Sequence, residues 1–185
     1  ETERREEDAY AAAERFDAAS LLQGAYLAAR AVDEALPLLD RGREEALAAW
    51  KAARPGSRAR RALERRRLLE LPSGGVLLGG PGDDRWSARE LEDAAVLVDL
   101  GGSQSYDAAP AAAGEGQVRI VIDYGDSVTV KASSSPSGPG SGVLGSGFLI
   151  LPNPAGKKIL HAGDLSFGAG LFGVGGLLLR GDDAE

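Results

Sequence analysis

Five aspartates set in glycine-rich turns, Asp83, Asp84, Asp99, Asp123 and Asp126, are the residues of this chain whose type and spacing come closest to a metal site. Calcium takes six to eight hard oxygen ligands, and aspartates in tight turns supply them. The stretch Gly79-Gly80-Pro81-Gly82-Asp83-Asp84-Arg85-Trp86-Ser87 fits the nonapeptide calcium pattern once. A calcium roll repeats that pattern in consecutive nine-residue turns. Here the neighbouring turn carries Ser103-Gln104-Ser105 where paired acids would stand. The expectation is therefore no metal and no other cofactor, with calcium and these five aspartates as the weak exception. Capping turns and keeping strand edges soluble then account for the acids.

Other chemistry is thinly represented. His161 is the single histidine, and with Asp164 and a serine it could form a hydrolase triad only on paper, so the expected catalytic set is empty. Cysteine is absent, which removes disulfides, zinc-thiolate sites and thiol nucleophiles. The Gly-x-Gly runs lie outside any strand-to-helix unit with a downstream acid, which argues against a dinucleotide loop. Carboxylate pairs along a β-structure can cleave polysaccharide, but no pair stands out from its neighbours.

A second constellation is basic. Arg58, Arg60, Arg61, Arg65, Arg66 and Arg67, preceded by Lys51 and Arg54, form a patch able to hold phosphate, a lipid headgroup or an acidic protein partner. Residues 1–50 carry six more acids than bases, Lys51 to Leu71 six more bases than acids, and the remainder is acidic by seven. The net charge of −7 argues against nucleic acid, whose affinity comes largely from phosphate neutralisation. Balancing the acidic front segment on a solvated helix face is the plainer role for the patch.

The elements that must position these groups fall into two segments. Residues 1–72 are rich in Ala, Leu, Glu and Arg and read as an amphipathic helical cap or hairpin. A long helix from Glu3 places Phe16, Leu21, Leu22 and Trp50 on one apolar face. Pro37 kinks it or starts a second helix, and Ser57 caps a basic third helix running through Leu71.

Residues 73–185 repeat one phrase, an apolar triplet followed by a Gly/Asp turn and an alanine. The triplets are Val76 to Leu78, Val96 to Val98, Ile120 to Ile122, Phe148 to Ile150 and Leu177 to Leu179, with alanines at 88, 108, 132 and 162. Burying one triplet is worth roughly 5 to 9 kcal/mol, whereas ordering some twenty residues costs on the order of 20 to 40 kcal/mol. Single units cannot stand alone, so the expected fold is mainly β, a parallel β-solenoid of irregular 20–30 residue turns with an α-helical N-terminal cap. Ser133 to Gly142 and Pro152 to Lys158 read as extruded loops.

The phrases Leu78-Gly79-Gly80-Pro81-Gly82-Asp83-Asp84-Arg85-Trp86, Val98-Asp99-Leu100-Gly101-Gly102 and Gly168 through Leu179 resemble bacterial Gly/Asp-rich repeat proteins of the GGDDxY type. That resemblance covers residues 73–185. It implies β-solenoids attached to cell-envelope or secreted proteins, without an assigned activity. The expected function is a non-catalytic structural or interaction module, extracytoplasmic, binding a protein partner or further repeats of the same chain. A start at Glu1 with no methionine anywhere reads as a processed or excised chain. Two rivals remain: an accessory subunit of a membrane complex with residues 165–179 embedded, and a polysaccharide-acting enzyme or binder. The span is disfavoured, because fifteen helical residues reach about 22 Å against a hydrocarbon core of about 30 Å.

Overall fold

A computed structural model describes residues 17–72, 74–132 and 137–180. The expected helical start at Glu3, the inward Phe16, the loop tip at Ser133 and the last turn acids at Asp182 and Asp183 lie outside these residues. Helix α1 spans Ala18–Ala52, with Asp17 accepting the Ser20 amide as N-cap. It runs through Pro37 as one helix, which overturns the alternative that a second helix starts there. Leu21, Ala25, Ala28, Val32, Leu36 and Leu39 recur at three and four residues, and Arg43, Leu47 and Trp50 continue the same side; Ala28, Val32, Leu36 and Leu39 pack on the sheet. Leu22, next to Leu21, falls off that stripe and is 60% exposed, contrary to expectation.

Ser57 caps α2, as its sequence position suggests, but α2 is only Arg58–Glu64. The next segment, expected to continue as helix, is strand β1 (Arg67–Leu71), followed by β2 (Gly74–Leu78). Only Pro72 and Ser73 separate the two strands, and so short a connection permits only an antiparallel pair. After these come β3 (Asp84–Trp86), α3 (Ala88–Asp93), β4 (Ala94–Asp99), β5 (Ser103–Tyr106), β6 (Val118–Asp123) and β7 (Ser127–Ala132). The described residues end with β8 (Gly142–Val143), β9 (Ser146–Leu151), β10 (Lys157–Ala162), β11 (Gly170–Leu171) and β12 (Val174–Leu179).

Three sheets result, ordered β1-β2-β4-β6-β9-β12, β10-β7-β5-β3 and β11-β8. The triplets pair in parallel: Leu97 lies opposite Leu77 and Val121, Val121 opposite Leu149, and Leu149 opposite Leu177. Triplets apolar at every position make a sheet hydrophobic on both faces. Leu77, Leu97, Val121 and Leu149 point inward to Trp86, Tyr106, Val128 and Val130. Val98, Ile120, Ile122 and Ile150 point outward, where Leu36, Val32 and Leu39 of α1 cover them.

This overturns the expected parallel β-solenoid with a helical cap. The fold is α/β, with a long helix over a mixed six-stranded sheet in which antiparallel β1 joins parallel strands. The helix is needed along the sheet because the outer face of the triplets is as apolar as the inner one. Residues 138–142, expected in an extruded loop, are buried, and Ser137 bridges Leu165 in parallel. Leu165 to Leu179 contains β11 and β12 and forms no helix.

Close backbone approach fixes the glycines of the last turns. A Cβ on Gly173 would press into the carbonyl oxygen of Gly142, and one on Gly175 into that of Ala169. Gly42, on the exposed side of α1, has open space around it. Gly173→Val and Gly175→Val should each destabilise by about 1 to 3 kcal/mol or more, because main-chain carbonyls held in the stacked turns cannot move aside as a flexible side chain would. Gly42→Ala should stabilise by up to about 1 kcal/mol through helix propensity. Urea unfolding of the three variants checks this, and unchanged midpoints for both valine variants would refute the packing described.

Candidate functional site

Position 79, 99 or 123 follows its triplet directly, so the parallel register stacks Gly79, Asp99, Asp123 and then Leu151 in one column. Asp99 and Asp123 are therefore neighbours across the ladder, and both are sealed at 0% and 1% exposure. The opposing sheet brings Gln104 and Tyr106 to them. Asp123 accepts from the Tyr106 hydroxyl at 2.7 Å and from the Gly125 amide at 2.6 Å. Asp99 Oδ1 accepts from the Gly101 amide at 3.0 Å and from Gln104 Nε2 at 2.9 Å.

Asp99 Oδ2 and Trp86 Nε1 are left without a well-formed partner among the described residues. The indole N–H lies near enough to Asp99 to favour its ionised form slightly without completing the bond. Burial, reinforced by the charge of Asp123, pushes the Asp99 carboxyl up to about 9. Burial also raises Asp123, to about 6, while donation from Tyr106 and Gly125 opposes it. The pair therefore holds a proton at neutral pH, carried by Asp99, whose Oδ2 is the unengaged oxygen. Gly79 leaves room for that oxygen, since a Cβ there would collide with it.

Beyond the neighbouring Asp99 and Asp123, the turn aspartates are engaged separately. Asp83 accepts the Ser103 amide at 2.7 Å, Asp84 takes Arg66 Nε at 2.7 Å, and Asp126 accepts from Asn153 Nδ2 at 3.1 Å. No group of three or more metal-ligating side chains forms among the described residues. His161 and Asp164 are both exposed. A cleft of about 630 Å³ between α1 and the turns at Gly82 and Gly101 carries Arg43, Lys51 and Arg60 against Glu64, Asp83 and Asp126. It stops short of the buried pair.

The six arginines divide into two roles. Arg60 stacks on the Trp50 ring at 3.9 Å and pairs with Glu64 at 3.1 Å, locking α2 to α1. Arg66 stacks on Trp86 at 4.3 Å and bonds Asp84 and Glu90, at 2.7 and 2.6 Å. Glu90 completes a capping box with Ser87 at the start of α3. These two cations are structural. Arg58, Arg61 and Arg65 have no carboxylate partner among the described residues, and Arg67 reaches only the carbonyl of Ala62 at 3.4 Å. With Leu68 and Leu69 they line a surface groove between α2 and β1. Leu68, Leu69 and Leu71 are each about half exposed, at 50%, 49% and 51%.

Sequence reasoning located the patch but not these leucines, because residues 65–71 were read as helix. The available signal was Pro72 closing a Leu-Leu-Glu-Leu run, which suits a strand ending in a hairpin turn. It also missed Tyr106 and Gln104, whose partnership with the acids arises only from the second sheet. Neither a protein-family model, nor a curated protein sequence, nor a solved structure matches the chain.

The proton held by Asp99 ties stability to pH. Between its ordinary value of 3.8 and about 9 the folded state binds a proton that the unfolded chain has released. Stability must then fall as pH rises across that window. The melting temperature of the protein should decline from pH 5 to 9, and Asp99→Asn, which has no proton to release in that range, should flatten the decline. Tyr106→Phe should cost about 1 to 3 kcal/mol by leaving a buried carboxylate oxygen unpaired. An equal slope in parent and Asp99→Asn would dismiss the shared proton.

Proposed function

We propose that this chain is a non-catalytic interaction module of an extracytoplasmic protein, and that its binding surface is the basic groove between α2 and β1. The observation that carries the reading is the coincidence there of cations without counter-charge and two half-exposed leucines, Leu68 and Leu69, on one strand. Desolvated arginines beside apolar side chains characterise the centres of protein interfaces. The sealing of Asp99 and Asp123 supports a non-catalytic role, because a catalytic carboxylate must reach substrate. The extracytoplasmic setting rests on the likeness of residues 73–185 to Gly/Asp-rich repeat chains. No helix among the described residues is long and apolar enough to cross a membrane.

A photo-crosslinking amino acid at Leu69, compared with one at Leu38, tests the surface in the cells that make the protein. Leu38 lies on α1 and is 62% exposed, so it controls for simple stickiness. A discrete protein adduct is expected at position 69 alone, lost when Arg61 and Arg65 are changed to glutamate. Equal labelling at both positions, or an adduct indifferent to that charge reversal, counts against the reading.

A further inference from the structure

Strand β1 ends the six-stranded sheet, and the described residues leave its outer edge unpaired. In an antiparallel pair, alternate residues direct their N–H and C=O groups away from the partner, so β1 presents a row of main-chain donors and acceptors. All five of its residues are exposed, on both faces of the strand. An added strand would therefore meet no cover above or below. Arg67, Glu70 and the following Pro72 are the kind of residues that guard an edge, yet Leu68, Leu69 and Leu71 leave half of the strand apolar and exposed.

The surrounding charge selects what can pair there. Arg58, Arg61, Arg65 and Arg67 lie at or beside the edge without carboxylate partners, and Glu70 is the only acid within β1. A second copy of the chain pairing β1 to β1 would bring the same four cations against these, and like charges at close quarters repel. An acidic strand would neutralise them. Alternation puts its apolar residues on one face, over Leu69 and Leu71, and its acidic residues on the other, so the arginine cluster attracts it through its summed field and not through one-to-one pairs along β1.

We propose that β1 is a β-augmentation site for an extended peptide that alternates acidic and apolar residues, the peptide adding a strand to the open edge. This rests on the reading of the α2–β1 groove as the interaction surface and specifies its mode of recognition.

A synthetic peptide alternating glutamate with valine serves as the probe, titrated into the full chain at low and moderate salt. Three comparators accompany it: the lysine–valine counterpart, the same acidic peptide with a central proline, and anionic phosphatidylglycerol vesicles. The acidic peptide should bind about tenfold more tightly than either peptide comparator, weaken with salt, and protect amides of residues 67–71 from hydrogen exchange. Arg61→Glu with Arg65→Glu should lower that affinity about tenfold while leaving the melting temperature unchanged.

Equal binding by the proline peptide would overturn strand addition, although the crosslink at position 69 could still stand. Protection elsewhere in the chain, binding to the vesicles alone, or dimerisation of the chain through β1 would each overturn it as well. Loss of both the crosslink and the peptide affinity would remove the interaction surface itself.

Discussion

The whole arrangement follows from triplets that are apolar at every position. Val96 to Val98 and Ile120 to Ile122 cannot leave one face of their sheet to water, as an alternating strand could. The inner face is closed by the second sheet through Trp86, Tyr106, Val128 and Val130. The outer face requires α1, whose stripe from Val32 to Leu39 lies on Val98, Ile122 and Ile150. Arg43 then anchors the helix by donating to the Leu100 carbonyl at 3.0 Å, and Asp40 accepts from the Tyr124 hydroxyl at 2.8 Å. Cover thins towards β12, where Gly176 faces Phe148 and leaves a cavity of about 230 Å³ against Val32 and Leu36.

Parallel register has a second consequence, because it stacks whatever follows the triplets. Two adjacent layers place aspartates there, and like charges on neighbouring buried carboxyls cannot both ionise without a large cost. One proton shared within the pair resolves the conflict. Tyr106 and Gly125 favour the charged state at Asp123, so the neutral carboxyl falls to Asp99, whose only firm donors converge on one oxygen. Gly79 in the preceding layer and Leu151 in the following one confine the polar pair to the middle of the column. Such a pair is suited to fixing layer register more than to adding stability, since a buried charge seldom recovers its desolvation cost.

The register of the strands was legible because triplets and alanines recur in step: Ala132 lies opposite Ala162, and Tyr106 opposite Val130, as the offsets require. The architecture was not. A repeated phrase reports which residues pair with their successors, but carries nothing about which face a distant helix covers. The placement of α1 is encoded only in the match between its own stripe and outward residues such as Ile122. The turn aspartates were conspicuous for a property they do not share, since five acids near glycines look alike in sequence while the fold seals Asp99 and Asp123 together and engages Asp83, Asp84 and Asp126 in separate hydrogen bonds and ion pairs. Arg60 and Arg66 were likewise indistinguishable from Arg58 and Arg61 until Trp50 and Trp86 came beneath them.

The two ends of the six-stranded sheet are chemically unlike. At the far end, β12 exposes Leu178 and Leu179, but the nearby cation, Arg180, already faces Asp40 at 3.8 Å. At the near end, β1 carries its leucines among arginines whose charge the described residues do not answer. Both edges offer main-chain groups, and neither the hydrogen bonds of an added strand nor its buried leucines would distinguish them. The difference lies in electrostatics, which sets partner choice more than affinity. In a chain with a net charge of −7, a local excess of positive charge on an open strand directs acidic segments to β1 and away from β12.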